Sequence, residues 1–315
     1  MKRWRGPLVA ALFFACFAAA ILWMVRDDQA VPRSESGIAV IACGSNSERW
    51  RMLDQGVRQA CVDLGIEKPV ISTARRTGSP LLSDLLQRQI EGGAKGLLIA
   101  AGEQRYQDRV AAAADRVPVV LLESGIGDTL TCIVADNAGM GRALAEYAAG
   151  EPGHVAVLAS GLARRSVAER RDAFVQRMEE LGKPVTVIEC DNIQVDAKSF
   201  LASTLATHEP AINLLAALDN DALEMAVDAV PAAMVDIALC GVGSSDKAVY
   251  ALDLGIVRAL VFQNEYAIGY LGTMALAAEM GLAKAPGSAE IQYRLVTKET
   301  MYDPELEQLL FPIMQ

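Results

Sequence analysis

Short runs of consecutive apolar residues alternate with amphipathic segments along nearly the whole chain after residue 36. This alternation restricts the fold more than any other feature. The runs are apolar at successive positions, as expected for strands buried on both faces of a parallel sheet. Alternating strands and helices predict right-handed crossovers and doubly wound sheets. The predicted strands are residues 38–43, 69–72, 96–100, 117–122, 132–135, 155–159, 185–189, 212–216, 237–241 and 257–262.

So many strands are too many for one compact unit, which favours two lobes. The length of 315 residues, with 52% of them hydrophobic, is enough to fill two cores. The expected seam lies near Asp136. Ser79-Pro80 predicts a helix start, with a capping residue followed by proline at the first helical position. Gly65 and Gly182 stand where helices are expected to end.

The first residues have the plan of a targeting segment. Lys2, Arg3 and Arg5 precede an uncharged apolar run over residues 8–25. At about 1.5 Å per residue this run spans roughly 27 Å, close to a hydrocarbon core of about 30 Å. The basic start places the N-terminus in the cytoplasm and the rest of the chain outside. We expect an uncleaved single-pass anchor, and a cleaved signal peptide or lipidation at Cys16 are the alternatives.

The charge balance argues against a nucleic acid partner. The formal net charge is −10, and it becomes −13 once the three basic residues before the apolar run are set aside. Binding a polyanion requires a basic face, which this composition does not supply.

No catalytic or metal-binding pattern is visible. The six cysteines include no CxxC pair, and we expect buried thiols, with one disulfide as the alternative. The two histidines, His154 and His208, lack the spacing of a metal or catalytic site. Gly241-Val242-Gly243 lacks the third glycine of a dinucleotide fingerprint. The sequence therefore predicts no enzyme, no metal and no cofactor.

A series of motifs gives the chain a family resemblance. Residues 38–65 read IAVIACGSNSERWRMLDQGVRQACVDLG, a strand, a polar loop and a helix ending in Leu-Gly. In their order, these motifs resemble the type I periplasmic binding proteins, the ribose/galactose-type sugar-binding proteins of ABC transporters, over about residues 37–300. The later motifs are the strands at 93–99 and 117–123, Ala135-Asp136-Asn137 with Gly141, residues 168–170 with Phe174, residues 217–221, residues 241–243, and Gln263 before a glycine-containing helix.

The resemblance implies an α/β fold, with two flavodoxin-like doubly wound parallel-sheet lobes joined by a three-segment hinge and preceded by one N-terminal transmembrane helix. The chain is expected to cross between lobes near Asp136, Gln263 and Ile291. The predicted domains are the anchor at residues 1–26, a stalk at 27–36, lobe 1 at 37–136 plus 264–290, and lobe 2 at 137–263 plus 291–315.

The resemblance also implies a ligand site between the lobes. Its predicted ligand-binding residues are Asn46, Trp50, Glu123, Ser124, Arg170, Asp219 and Gln263. Trp50 is expected to stack on a sugar ring, and burial in the core is its alternative.

Several positions leave this site open to interpretation. Arg164 and Arg165 are alternatives to Arg170, and the whole basic run is also typical of a solvated helix start. Two positions depart from the family, because Ser124 stands in place of an arginine and Gly243 in place of an aspartate. The acidic side chains are otherwise typical of solvated loops.

These features predict an extracytoplasmic solute-binding protein that closes its lobes on a small molecule. A sugar or sugar derivative is expected, and an amine-bearing ligand held by Glu123, Asp219 and Trp50 is the alternative. The expected partner is the membrane permease of an ABC transporter, or a sensor kinase or chemoreceptor if the domain is a sensing ectodomain. A regulator with the same core would carry a helix-turn-helix of about 60 residues before it, where this chain has an apolar segment and a stalk.

Overall fold

The computed structural model describes residues 37–44, 50–67, 69, 71–75, 80–190, 196–287, 290–304 and 306. The predicted anchor and stalk, Cys16, Ser79 and the candidate ligand residue Asn46 lie outside these ranges. No helix within the described ranges combines the length and the apolar character needed to cross a membrane.

The described residues form two β-sheets. The first sheet has the order β2-β1-β3-β4-β5 and is parallel throughout. The second has the order β11-β10-β9-β8-β6-β7 and is parallel except for β11, which runs antiparallel to β10. The strands are β1 (Ile38–Cys43), β2 (Ile71–Ala74), β3 (Gly96–Ala100), β4 (Val119–Leu122), β5 (Cys132–Ile133), β6 (His154–Ala159), β7 (Val185–Glu189), β8 (Ile212–Ala217), β9 (Ala238–Val242), β10 (Val257–Gln263) and β11 (Tyr293–Thr297).

The predicted α/β class with parallel sheets is confirmed, and all ten predicted strands exist with ends shifted by up to two residues. Strand β11 was missed. Its residues alternate between partly buried, exposed and buried positions, with Arg294 pointing outward and Val296 fully buried. A search for continuous apolar runs does not detect such a half-exposed edge strand.

Helices connect most of the strands and cover the faces of both sheets. They are α1 (Arg51–Leu64), α2 (Leu82–Glu91), α3 (Gln107–Ala114), α4 (Asn137–Gly150), α5 (Arg165–Glu180), α6 (Ala197–Thr207), α7 (Asn220–Ala233), α8 (Asp246–Asp253) and α9 (Glu265–Glu279). The predicted ends at Gly65 and Gly182 are confirmed, because both glycines adopt a positive φ just after a helix. The predicted start at Pro80 is wrong. Helix α2 begins at Leu82, where Asp84 accepts a hydrogen bond from the Leu81 amide.

The chain passes between the two sheets three times. It leaves the first sheet after β5 and continues as α4, which packs on β8, β9 and β10. It leaves the second sheet after β10 and continues as α9, which packs on α1 and on strands of the first sheet. It then returns to form β11, and Ala135 pairs with Ile291 in an isolated parallel bridge. These passages lie beside Asp136, Gln263 and Ile291.

Helices α1 and α9 cross closely because each carries a glycine at the contact. A Cβ on Gly56 would collide with the backbone of Tyr266, and one on Gly269 would collide with the carbonyl of Leu53. This crossing fixes α9 against the first sheet, so that the end of β10 and the start of α9 hold Gln263 at the junction of the two sheets.

None of the five cysteines in the described ranges forms a disulfide, and four of them are buried. Burial raises the pKa of the Cys61 and Cys132 thiols to about 11. The prediction of buried thiols is therefore confirmed for Cys43, Cys61, Cys190 and Cys240, while Cys132 is partly exposed.

Candidate functional site

The carboxyl ends of the two sheets meet around a buried polar pair. Glu123 follows β4 in the first sheet, and Gln263 ends β10 in the second. Gln263 Nε2 donates a hydrogen bond to Glu123 Oε1 over 2.7 Å. Both side chains are almost completely buried. Ser124 lies beside them, and its Oγ accepts a 3.4 Å hydrogen bond from the Ser166 amide at the start of α5. The structure thus brings three of the predicted ligand residues together.

Two non-glycine residues at this edge adopt left-handed backbone conformations. The φ angle is 52° at Ala101, directly after β3, and 65° at Glu123, directly after β4. Hydrogen bonds hold both residues, from the Ala101 amide to Leu122 O and from the Glu123 amide to Ile133 O, each 3.0 Å long. Such conformations cost of order 1–3 kcal/mol and concentrate at functional sites. Their position on adjacent strands supports this edge as the candidate site.

Asp219, the predicted acceptor at the end of β8, is bound within the protein. Its Oδ1 accepts from the Ala222 amide over 2.8 Å and so caps α7, as a short acidic side chain commonly does. Its Oδ2 accepts from Arg164 Nη2 over 2.7 Å, and the two side chains are 1% and 4% exposed. The carboxylate charge is therefore neutralised by a buried arginine.

The predicted solvated character of the basic run is wrong for two of its members. Arg164 and Arg170 are each 3% exposed. Arg170 Nε donates to Asn137 Oδ1 over 2.9 Å, and its Nη1 donates to Leu218 O over 3.2 Å, which ties α5 to α4 and to the end of β8. Arg164 Nε is buried and donates to no acceptor among the described residues. Arg164 therefore keeps one buried donor whose acceptor is absent from the described ranges, and a ligand role for Arg170 stays a prediction.

Trp50 precedes α1 and is 2% exposed. It belongs to an apolar cluster that also contains Leu53, Val57 and Ala101. Both interpretations of this residue, stacking on a ligand in a closed cleft and packing in the core, require a buried ring. Its contact with a ligand therefore stays a prediction.

Asn220 explains why position 243 carries no side chain. The Asn220 Oδ1 accepts from the amides of Ser244 and Ser245, at 3.2 and 3.1 Å. A Cβ on Gly243 would stand 2.9 Å from that oxygen and 3.3 Å from Leu223 Cδ2. An acidic side chain in place of Gly243 has no room without displacing Asn220. Sequence reasoning missed Asn220, because its contacts come from Ser244 and Ser245, 24 and 25 positions away, between β9 and α8.

We expect Gly243→Ala to lower the free energy of unfolding by about 1–3 kcal/mol, since overpacking a filled site has this cost. Urea unfolding monitored by circular dichroism measures the change. Gly150→Ala at the end of α4 is the matched control, because a Cβ there would meet no heavy atom within 4 Å. Equal effects of the two substitutions would contradict the crowding at Gly243.

Metal-binding side chains are not clustered in the part of the chain that the structure describes. Within the described ranges, no group of three His, Cys, Asp or Glu side chains is arranged to hold a metal ion. His154 and His208, far apart in the sequence, stack with ring centroids 5.8 Å apart at the start of β6 and the end of α6. Their ring nitrogens engage Thr186 Oγ1 and Pro210 O.

Comparison with known proteins assigns the family. Residues 38–284 match the model of the periplasmic binding protein domain, and the chain belongs to this family. The family resemblance drawn from the motifs is confirmed. No curated protein matches the chain.

Solved structures share the fold over most of the chain. A carbohydrate transporter solute-binding protein from Agrobacterium radiobacter in complex with D-arabinose is 24% identical with a TM-score of 0.76, covering 87% of this chain and 98% of its own. An ABC transporter solute-binding protein from Agrobacterium vitis bound with α-D-tagatopyranose is 18% identical, with the same TM-score and coverage. A Caulobacter myo-inositol binding protein bound to myo-inositol is 18% identical with a TM-score of 0.72, covering 88% and 99%.

Proposed function

We propose that this protein is an extracytoplasmic solute-binding protein that closes two lobes on a neutral sugar or polyol and delivers it to an ABC-type permease. The observation that carries the proposal is the buried contact between Gln263 and Glu123 at the facing carboxyl ends of the two sheets. In open α/β sheets, ligands bind at this edge. Solved structures of the same fold are described as bound to D-arabinose, α-D-tagatopyranose and myo-inositol.

The proposed lobes follow the predicted limits, with residues 37–136 and 264–290 in one and residues 137–263 and 291–315 in the other. The three passages beside Asp136, Gln263 and Ile291 would form the hinge, because a few residues between packed elements absorb the backbone change of closure. Residues 1–26 would anchor the protein, with the binding domain outside the cytoplasm. Uptake is preferred over sensing because structures of the same fold are described as transporter components.

The charge of the site favours a neutral ligand over an amine. Asp219 is one of the two carboxylates on which a cationic ligand would depend, and Arg164 neutralises it. Two buried groups remain available for a hydroxyl, since Arg164 Nε lacks an acceptor and Gln263 Oε1 lacks a donor among the described residues. A hydroxyl both donates and accepts, and so suits such a pair of groups.

Isothermal titration calorimetry of the full-length protein with D-arabinose, D-tagatose, myo-inositol and the diamine putrescine tests the ligand class. Binding of at least one sugar or polyol, with no response to putrescine, is expected. Binding of putrescine alone would show that the amine interpretation is right and the sugar interpretation wrong. No response to any sugar or polyol would remove the proposed ligand class.

A charge pair at the surface also joins the two halves of the chain, meaning the two proposed lobes. Arg51 at the start of α1 makes two hydrogen bonds to Asp246 at the start of α8, of 3.1 and 2.6 Å. The side chains are 58% and 65% exposed, so the pair is worth about 0.2–1 kcal/mol. We expect Arg51→Glu to weaken sugar binding by about 2–5-fold at low salt, since it replaces attraction by repulsion in the closed state.

Exchanging the charges, with Arg51→Asp and Asp246→Arg together, is expected to restore most of the affinity. Calorimetry at low and high salt provides the measurement. Arg177→Glu is the matched control, because Arg177 pairs with Glu146 inside one half. A loss of affinity that persists at high salt and in the charge-exchanged variant would rule out an electrostatic role in closure.

A further inference from the structure

A cavity lies beside the candidate site, and none of the predicted ligand residues lines it. Its volume is about 230 Å³. One wall comes from the segment between β4 and Val134, and the other from the start of α4 and the start of α5. The cavity therefore exists only where the two halves of the chain meet. Its volume far exceeds what a single water molecule requires.

Two buried polar side chains line this cavity and carry hydrogen-bond donors. Asn137 and Ser166 are 3% and 5% exposed. Asn137 Oδ1 accepts from Arg170 Nε over 2.9 Å, so the amide Nδ2 is the donor end of this side chain. The Ser166 backbone amide donates to Ser124 Oγ, and the Ser166 hydroxyl is a second group that can donate a hydrogen bond. Two donor groups on the wall of one cavity suit an occupant with acceptor atoms.

The other residues that line the cavity indicate the chemistry of the rest of the bound molecule. Leu121, Leu130 and Val134 provide apolar wall, next to the Cys132 thiol. The cavity also contacts three charged residues, of which Arg165 and Asp128 pair with each other over 2.7 Å. The third, Glu169, adds a carboxylate, which would repel an anionic ligand. This combination fits an uncharged molecule with an oxygen-bearing end and a short apolar body.

We propose that this cavity is a second small-molecule site, for a neutral hydroxyl- or carbonyl-bearing compound whose oxygen atoms accept from Asn137 Nδ2 and the Ser166 hydroxyl. Because both halves of the chain form its walls, an occupant binds the native arrangement and stabilises it by mass action. The site is independent of the proposed sugar ligand, and its test uses no sugar.

The test uses cyclohexane-1,2-diol as the probe and two measurements on the full-length protein. The diol is expected to raise the Tm, since it binds only the folded state. It is also expected to slow labelling of Cys132 by N-ethylmaleimide by at least about threefold, because thiol labelling requires access. Peptide mass spectrometry measures the labelling. Burial raises the pKa of Cys132 to about 11, so all rates are compared at one constant pH.

Ser166→Leu fills the cavity and removes the hydroxyl but keeps the backbone bond to Ser124, and both responses should disappear. Ser203→Leu on the exposed face of α6 is the matched control and should retain both. Cyclohexanecarboxylate, an anion of similar shape, should produce neither response. The proposal is overturned if the diol leaves the wild-type Tm unchanged, if Ser166→Leu keeps the response, or if the carboxylate acts as well as the diol.

Discussion

Replacing Arg164 with methionine is expected to lower the free energy of unfolding by about 3–5 kcal/mol, the cost of leaving a buried charge without its partner. Arg164 Nη2 lies 2.7 Å from Asp219 Oδ2, and neither side chain is more than 4% exposed. Without the guanidinium, the hydrogen bond from the Ala222 amide is what the carboxylate would keep among the described residues. Urea unfolding followed by circular dichroism gives the difference from the wild type.

The neighbouring arginine provides the control. Arg165 pairs with Asp128 over the same distance, but the side chains are 38% and 84% exposed. Arg165→Met should therefore cost less than about 1 kcal/mol. Combining Arg164→Met with Asp219→Asn should recover part of the loss, since the unpaired charge is removed and an amide oxygen can still cap α7. Similar losses for Arg164→Met and Arg165→Met would contradict a special role of burial.

The position of the candidate site followed from the strand pattern together with the family resemblance. The continuous apolar runs that end directly before Glu123 and directly before Gln263 predict parallel strands, and parallel strands present their carboxyl ends at one edge. Two such sheets in one chain place those edges opposite each other in this family. The strand pattern and the resemblance therefore predict that Glu123, Ser124 and Gln263 lie close together. The left-handed backbone conformation of Ala101 and Glu123 could not be predicted, because neither residue is a glycine and no local pattern indicates it.

The pairing of buried charges within the site could not be predicted from the sequence. Arg164 and Asp219 are 55 positions apart, and nothing in either segment indicates the other. For Arg170, the sequence does contain a pattern that indicates burial. Val167, Arg170 and Phe174 recur at intervals of three and four and are all buried on one face of α5. This periodicity places Arg170 on the buried face, against the interpretation of the basic run as solvated. Arg164 precedes the helix, so the same periodicity says nothing about its side chain.

Gln263→Met is expected to weaken binding of the sugar or polyol by about 10–100-fold, because a hydrogen bond to a charged group contributes roughly 1.5–3 kcal/mol. Gln263 joins the two halves through its 2.7 Å bond to Glu123. Its buried Oε1 also accepts no hydrogen bond from the described residues, so the substitution removes a proposed ligand contact as well. Methionine keeps a similar volume and limits the change in packing. Calorimetric titration with the sugar or polyol that binds the wild type gives the ratio of affinities.

A second glutamine–glutamate pair isolates the effect of position. Gln87 Nε2 donates to Glu91 Oε1 over 2.9 Å on the exposed face of α2. Gln87→Met removes the same chemical interaction far from the candidate site, so affinity should remain unchanged. If Gln263→Met binds as tightly as Gln87→Met while both keep the wild-type circular dichroism spectrum, Gln263 contributes neither to closure nor to ligand contact. A loss confined to Gln263→Met would show that binding depends on the junction of the two sheets, where the chain passes from β10 to α9.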